Sequence, residues 1–211
     1  MKDGHLVAGL VGQVCAGKSA VSAAFCKRGA ALYDADKVVH ELYGREDVKK
    51  EVRALLGDGV FDAQGKVDRK KVGAVVFGDE SKLKALTDKV IYPRTGEVLE
   101  RMLKEFCAGK LAGNSPVLIV DAPTLFEAGR EGKCARILFV GAPREHRERW
   151  AQAQRGWTPD VLARREARML DEGTKRARCT DSLENDGSLD DLDRKVGALW
   201  KKWLGEGRAL V

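Results

Sequence analysis

Short apolar runs alternate with longer stretches of helical spacing along this chain. Four runs predict β-strands, because each is short, apolar and bounded by turn residues or by a helix start: 6–11, 31–33, 117–120 and 137–140. Strands that alternate with helices are typical of a layered α/β domain with a mainly parallel sheet. We therefore predict an α/β fold in which a parallel sheet is flanked by helices.

The long region between the second and third predicted strands has helical spacing throughout. Apolar residues recur there every three or four positions, which predicts helices at 47–56, 68–77, 80–91 and 93–106. Further helices are predicted from Ala20 onward and at 37–42, 143–154, 159–170 and 189–204. The pattern indicates one domain with a core of residues 1–45, 115–142 and 175–211, a helical lobe at about 46–114 and another helical segment at about 143–174.

Composition restricts the class of protein further. The chain has 211 residues, 44% of them hydrophobic and 33% charged, which fits a globular protein with one core. Its apolar runs are too short to cross a bilayer, and it starts without the apolar stretch of a secretion signal, so we expect a cytoplasmic protein with no membrane partner. The five cysteines form no C-x-x-C pair and are odd in number, which favours free thiols in a reducing compartment.

The formal net charge of +6 allows two interpretations. Such an excess could mark a nucleic-acid-binding protein, or it could reflect a pocket lined with arginine for a polyanionic small molecule. The aromatic content is only 6%, and no Lys/Arg run is flanked by aromatic residues, which favours the second interpretation. We expect a small-molecule substrate, no nucleic-acid partner, and a monomer or weak homo-oligomer.

A glycine-rich motif follows the first predicted strand. Residues 12–19 read G-x-x-x-x-G-K-S and directly precede the helix predicted from Ala20, which is the context that a phosphate-binding loop requires. Backbone N–H groups and the positive end of the helix would surround the phosphates. The predicted ATP contacts are Gly12, Gln13, Val14, Cys15, Ala16, Gly17, Lys18, Ser19 and Ala20. In this scheme Lys18 pairs with the β- and γ-phosphates, and the Ser19 hydroxyl is a ligand of Mg²⁺.

Two carboxylates, Asp34 and Asp36, follow the second predicted strand. In open α/β sheets, ligands bind at the carboxyl ends of parallel strands. One carboxylate could accept a proton from an attacking hydroxyl while the other helps to hold the metal ion. The alternative is that they cap the helix predicted at 37–42. No N-K-x-D motif for guanine is present, so a small-molecule kinase is favoured over a switch GTPase.

The strand, the G-x-x-x-x-G-K-S run and the D-A-D triplet together resemble the dephospho-CoA kinases, and the resemblance covers nearly the whole chain. Other segments similar to that family are Asp68-Arg69 with Phe77, Pro93, 123–127 (P-T-L-F-E), Arg165 with Lys175-Arg176, and Asn185-Asp186-Gly187-Ser188. The chain differs from the family's usual residues at Gln13, Cys15, Ala16, Ala20, Tyr92, Met169, Cys179 and Thr180. The resemblance implies a P-loop kinase-like sheet with a helical acceptor-binding insertion and an arginine-rich lid.

The resemblance also implies an activity, the transfer of the ATP γ-phosphoryl group to the ribose 3′-hydroxyl of dephospho-CoA. It further implies roles for individual residues. Asp36 would be the general base, with Lys18 also catalytic, while Asp34 and Ser19 lie on the metal side. Arg69, Pro93 and Leu125 would lie in or near the acceptor site, and Asn185 and Gly187 would border the adenine.

Between Cys134 and Thr174 there are eight arginines and no lysine. They are Arg136, Arg144, Arg147, Arg149, Arg155, Arg164, Arg165 and Arg168. Guanidinium groups bind phosphate in a bidentate manner and stay charged, which suits a lid over a triphosphate. We select Arg149, Arg155 and Arg165 for phosphate contact. The alternative, expected for at least half of the set, is pairing with Glu145, Glu148 and Glu166 on helix surfaces.

Two questions stay open at this point. Cys15 lies at the entrance to a helix, where a thiol should have a depressed pKa and raised reactivity, but a buried and inert cysteine is an equal alternative. Activity that survives alkylation would exclude the reactive thiol. For function, the alternatives are another kinase of the nucleoside-monophosphate type and a nucleotide-binding protein that has lost catalysis.

Overall fold

A computed structural model describes residues 5–76, 78–111 and 115–206. The five strands are β1 (Leu6–Gly12), β2 (Ala31–Asp34), β3 (Val117–Asp121), β4 (Arg136–Gly141) and β5 (Asp181–Glu184), in the sheet order β2-β3-β1-β4-β5. The pairs β1–β3, β1–β4 and β4–β5 are parallel. The central strand β1 therefore leads into the glycine-rich loop between the carboxyl ends of β3 and β4.

Helices connect the strands. They are α1 (Lys18–Lys27), α2 (Ala35–Leu42), α3 (Glu46–Leu56), α4 (Arg69–Val76), α5 (Glu80–Leu86), α6 (Tyr92–Cys107), α7 (Arg144–Arg155), α8 (Pro159–Glu166), α9 (Glu172–Ala177) and α10 (Leu189–Glu206). Within the described part of the chain, no helix combines the length and apolar character needed to cross a membrane. Phe77, quoted for the family resemblance, falls outside the described residues.

The chain divides into two compact units, Met1–Tyr33 with Lys104–Val211 and Asp34–Leu103. The first contains the sheet and a core in which Phe25 of α1 stacks on Trp203 of α10 at a centroid distance of 5.0 Å. Leu10 and Ile119 of neighbouring strands are almost fully buried in the same core. The last helix, predicted at 189–204, therefore packs Leu192, Val196 and Trp203 into the core.

The second unit is helical and begins at Asp34, not at the predicted position near residue 46. Its core contains Val48 and Val52 from α3, Val72 from α4 and Leu86 from α5. These residues repeat at helical spacing, which is why the sequence predicted these helices. The role of this unit in acceptor binding stays a prediction.

A π-helical turn, Thr87–Ile91, joins α5 to α6 where the sequence predicted a break near Pro93. Proline has no N–H to donate and its ring crowds the carbonyl four residues earlier, so a regular α-helix cannot pass through it undisturbed. The wider turn absorbs this disturbance. The side chains of Arg94 and Thr95 donate to the carbonyls of Val90 and Ile91, at 3.2 and 2.8 Å.

Two short elements, β5 and α9, were not predicted from the sequence. Only Leu183 is apolar in β5, whose buried positions are otherwise Asp181 and the following Asn185. Helix α9 has six residues and no apolar stripe. Neither offers a periodic signal, and both are held in place by contacts with distant parts of the chain.

Candidate active site

The phosphate loop leaves β1 at a point of close backbone contact. A Cβ atom added to Gly12 would lie 2.1 Å from the carbonyl oxygen of Val140, which no side chain could tolerate. The next residue, Gln13, donates its N–H to that same carbonyl at 3.1 Å. Glycine at position 12 thus lets the loop begin against β4.

The loop ends at a second glycine, Gly17, in a backbone conformation that favours glycine. Gly17 is the N-cap of α1, has a φ of 84°, and provides no side-chain cap for the helix. A left-handed conformation at this point favours glycine. Because no side chain caps the first turn, no side-chain oxygen competes with an anion for the positive end of α1. This arrangement fits the phosphates of ATP.

Lys18 and Ser19 begin helix α1 directly after that cap. The Lys18 ammonium donates to the carbonyl oxygen of Gln13 at 3.1 Å, so its side chain folds back over the loop. Ser19 is exposed, and its hydroxyl provides a hard oxygen ligand of the kind that Mg²⁺ prefers. The predicted residues 12–19 therefore form a loop and the first residues of α1, and the charged Lys18 side chain lies against the loop.

Asn185 contacts the phosphate loop directly. Its side-chain amide, in a residue only 7% exposed, donates to the carbonyl oxygen of Ala16 at 3.0 Å. The same nitrogen would lie 2.3 Å from a Cβ at Gly17. The family resemblance predicts that Asn185 and Gly187 border the adenine. That role stays a prediction, but the structure adds a contact that the motif did not suggest.

A cavity of about 190 Å³ adjoins the first part of the loop. Its lining residues are Gly12, Gln13, Val14, Phe139, Arg147, Glu166, Met169, Leu170, Asp171, Glu172 and Lys175. Lys175 is only 3% exposed; burial lowers the pKa of its ammonium, which Glu127 partly offsets from 3.7 Å. The cavity therefore has charged groups of both signs beside the phosphate loop.

In the arginine-rich segment, some arginines pair with glutamate and others lie over an aromatic ring. Arg144 and Arg147 both pair with Glu166, and Arg147, 6% exposed, also donates to the carbonyl of Ala142 at 3.1 Å. Pairing with glutamate on a helix surface is thus confirmed for Arg144, whereas Arg147 makes its pair as a buried residue. Arg136 lies at the start of β4, outside the helices.

Arg155 and Arg165 lie over the ring of Trp157, with guanidinium carbons 4.8 and 4.0 Å from its centroid. Burial lowers the pKa of Arg165, and the positive charges of Arg155 and Arg168 lower it further. A cluster of like charges gains stability when an anion neutralises it. Arg149 is exposed on α7. Phosphate contact by Arg149, Arg155 and Arg165 stays a prediction.

The expectation of a depressed pKa at Cys15 is wrong. Burial raises the pKa of the Cys15 thiol, and the positive charges of Arg155, Lys18 and Arg147 offset that effect only in part. The residue also has a φ of 59°, in the left-handed region. The structure favours the alternative of a half-buried, unreactive thiol.

In the second unit, Asp34 caps helix α2 by accepting from the N–H of Lys37 at 2.9 Å. The capping interpretation is thus correct for Asp34, which does not remove its predicted metal role. Asp36 lies exposed in the first turn of α2, while Arg69 begins α4 and Pro93 is exposed in α6. Their roles with base and acceptor stay predictions.

Leu125 was predicted to contact the acceptor. The structure shows it 0% exposed, and its Cδ2 would lie only 2.6 Å from a Cβ at Gly9. A side chain without exposed surface offers nothing to a ligand, so this prediction is corrected. Leu125 belongs to the core, where it packs over strand β1.

Comparisons with known proteins agree with this geometry. The family model described as dephospho-CoA kinase matches residues 6–191. A dephospho-CoA kinase of Thermus thermophilus is 32% identical over 200 residues, which cover 95% of this chain and 93% of that protein. One of Frankia casuarinae is 33% identical over 198 residues, which cover 93% and 82%.

Solved structures show the same fold. A crystal structure of a Thermus thermophilus protein has a TM-score of 0.77 at 32% identity, with 94% of this chain and 97% of that chain covered. The dephospho-CoA kinase of Campylobacter jejuni has a TM-score of 0.66 at 18% identity and covers 95% and 98%. A shikimate kinase of Acinetobacter baumannii has a TM-score of 0.53 at 13% identity, with 95% of each chain covered. The predicted P-loop kinase-like fold is confirmed, and the match of the family model along most of the chain, with relatives above 30% identity, shows that this chain belongs to the dephospho-CoA kinase family.

Proposed function

We propose that this protein transfers the γ-phosphoryl group of ATP to the ribose 3′-hydroxyl of dephospho-CoA, giving CoA and ADP, the last step of coenzyme A biosynthesis. The observation that carries the proposal is the phosphate loop of residues 12–19, in a chain whose family model spans residues 6–191. The bond between the 3′-oxygen and the γ-phosphorus forms as the bond from that phosphorus to the β,γ-bridging oxygen breaks, and ADP leaves.

The residues of the loop hold the triphosphate in this scheme. Backbone N–H groups at the start of α1 bind its oxygens, and the Lys18 ammonium moves from the Gln13 carbonyl to the β- and γ-phosphates. Ser19 and Asp34 would provide oxygen ligands for Mg²⁺, which when bound neutralises charge on the phosphates. Their carboxylate and hydroxyl chemistry suits that ion.

Asp36 accepts the proton of the 3′-hydroxyl in this proposal. Its side chain is exposed in the first turn of α2, where the carboxylate oxygens are accessible to a hydroxyl group. Arg69 and Pro93 are proposed to contact the acceptor. These roles come from the family resemblance at the D-A-D and D-R segments.

Arg149, Arg155 and Arg165 are proposed to neutralise phosphate charge as the lid, residues 143–174, closes. Two features of the described residues support this for Arg155 and Arg165: their guanidinium groups lie over Trp157, and the lowered pKa of Arg165 is one that an added anion would restore. Closure would also exclude water, which competes for the phosphoryl group. A cytoplasmic location and a monomer or weak homo-oligomer remain predictions from the sequence.

The experiment is a measurement of ADP release with Mg²⁺ and ATP, comparing dephospho-CoA, AMP, CMP and no acceptor. We expect turnover only with dephospho-CoA. Lys18→Ala should remove turnover, while its matched control Lys27→Ala, an exposed lysine at the other end of α1, should retain it. Asp36→Asn should also remove turnover, with Glu41→Gln, exposed on the same helix, as its control.

Other outcomes would change the assignment. Turnover with AMP or CMP but not with dephospho-CoA would make the protein a kinase of the nucleoside-monophosphate type. ATP binding without turnover of any acceptor would indicate a nucleotide-binding protein that has lost catalysis.

A further inference from the structure

The side chain of Gln13 is hydrogen-bonded at both ends of its amide. Its Oε1 accepts from the N–H of Ala142 at 2.8 Å, and its Nε2 donates to Oε2 of Glu172 at 2.5 Å. These partners determine which end is oxygen, because a backbone N–H needs an acceptor and a carboxylate needs a donor. Gln13 therefore connects the phosphate loop to the residue after β4 and to the first residue of α9.

Glu172 is held as a charged partner for this contact. Burial alone would raise the pKa of its carboxyl, but hydrogen bonds from Arg176 and Gln13 bring that pKa below the ordinary value. Arg176 donates to Glu172 at 2.8 Å and to Glu184 of β5 at 2.6 Å. Glu172 is thus ionised at neutral pH and fixed through Arg176 to the sheet, so it accepts a charge-assisted hydrogen bond.

The position of Gln13 in turn determines the position of the loop lysine. The carbonyl oxygen of Gln13 accepts from the Lys18 ammonium at 3.1 Å and from the N–H of Ala16 at 3.3 Å. A rotation of this peptide would move both the acceptor of Lys18 and the first turn of the loop. The two side-chain hydrogen bonds of Gln13 oppose that rotation.

We propose that Gln13 is a positioning residue, which holds the phosphate loop ready for a nucleoside triphosphate by anchoring it to Ala142 and to the carboxylate of Glu172. Gln13 touches no reacting atom in this proposal. It acts through its main chain, whose carbonyl accepts from the N–H of Ala16 in the first turn of the loop and holds Lys18 nearby until the phosphates take over the ammonium. The inference rests on the proposed binding of ATP by this loop. It goes beyond that proposal by assigning a role to a side chain that the motif leaves unspecified.

The first test removes the amide and keeps its size. Gln13→Met should bind ATP with Mg²⁺ about tenfold more weakly, as measured by titration calorimetry without acceptor, because both tethers are lost. The control Gln64→Met, at an exposed turn position in the other unit, should leave the dissociation constant unchanged. Thermal unfolding of each variant without nucleotide separates loop positioning from general stability.

The second test replaces the neutral amide of Gln13 by a charged carboxylate. In Gln13→Glu two carboxylates face each other, so ATP binding should weaken more than in Gln13→Met at pH 7.5. It should recover towards pH 5, where the pair shares a proton. Adding Glu172→Gln should restore binding at pH 7.5, since the amide introduced at position 172 can then donate to the carboxylate introduced at position 13, which still accepts from the N–H of Ala142. A residue with a merely structural role would show neither the pH dependence nor the rescue.

Two results would overturn the inference. One is ATP binding by Gln13→Met within twofold of the unmodified protein, and the other is a failure of Glu172→Gln to rescue Gln13→Glu. If the unmodified protein itself binds no ATP, both this inference and the proposed function fail. If it binds ATP and the variants bind equally well, only this inference fails.

Discussion

The buried side-chain amide of Asn185 donates a hydrogen bond of 3.0 Å to the carbonyl oxygen of Ala16, in the middle of the phosphate loop. Ala16 is 0% exposed, so water cannot replace this donor. The residue after β5 thereby supports a loop residue that lies 169 positions earlier in the chain. The loop is thus held by the residue that follows β5, a strand that the sequence did not predict.

Asn185→Ala should lower the free energy of unfolding by about 1–2 kcal/mol, because it leaves the buried Ala16 carbonyl without its donor. It should also weaken ATP binding. Chemical denaturation and calorimetry measure the two effects. Gln152→Ala, exposed on α7, is the control and should change neither. An Asn185→Ala protein with unchanged stability would show that the loop does not need this contact.

Substitutions at Arg147 and at Arg149 should have different effects, the first on the free energy of unfolding and the second on kcat/KM. Arg147 is buried against Glu166 and the Ala142 carbonyl, so Arg147→Gln should cost about 1–3 kcal/mol of unfolding free energy. Arg149 is exposed, so Arg149→Gln should change stability by less than about 0.5 kcal/mol. It should nevertheless lower kcat/KM by at least about tenfold if it neutralises phosphate charge.

Denaturation curves and steady-state kinetics on both variants decide this prediction. Arg144→Gln, at a more exposed residue of the same ion-pair group, provides the stability control and should cost less than Arg147→Gln. Unchanged kinetics in Arg149→Gln would remove Arg149 from the catalytic set.

Cys15 should react slowly with alkylating agents. Since burial raises the pKa of its thiol, little thiolate is present at neutral pH. Iodoacetamide labelling at pH 7.5, followed by mass spectrometry, should modify Cys15 more slowly than free glutathione, and the rate should rise as the pH increases above about 8.5. When the chain is unfolded in denaturant, Cys15 and glutathione should be labelled at similar rates. Faster labelling of Cys15 than of glutathione would contradict the assignment.

Asp181 should make stability depend on pH in the acid range. Its carboxylate accepts from Lys202 at 2.7 Å and from the Trp203 indole at 3.2 Å. Burial alone would raise its pKa, but hydrogen bonds from Lys202, Thr180 and Trp203 lower it below the ordinary value. A carboxyl whose folded pKa is lowered contributes stability above its unfolded pKa, about 3.9, and loses that contribution as the pH falls through the folded value.

Asp181→Asn should therefore be less stable than the unmodified protein by about 1–3 kcal/mol at pH 7. The difference should shrink as the pH falls from about 3.9, the ordinary value of the unfolded carboxyl, towards the lower pKa of the folded one. Urea denaturation between pH 3 and 7 measures it, with Asp190→Asn, at an exposed residue of α10, as control. A difference that does not vary with pH would mean that the charge of Asp181 does not matter.

Local patterns predicted much of the fold. Strands β1, β3 and β4 are continuous apolar runs because both faces of a parallel sheet are buried, and the helices of the second unit repeat apolar residues such as Val48 and Val52 at helical spacing. The polar strand β5 and the six-residue helix α9 have no such pattern. Pro93 correctly marked a disturbance, but a π-helical turn absorbed it where a break was predicted.

By itself, the sequence determined the phosphate loop, since all of its groups lie within residues 12–19 and each has a local reason. Only the tertiary structure decided which side chains support that loop. Gln13 meets Glu172 across 159 positions and Ala142 across 129, and Asn185 meets Ala16 across 169. Likewise, spacing could not distinguish the buried Arg147 from the exposed Arg149. Burial and hydrogen bonding between distant segments arise when the sheet assembles, so they leave no periodic trace in the sequence.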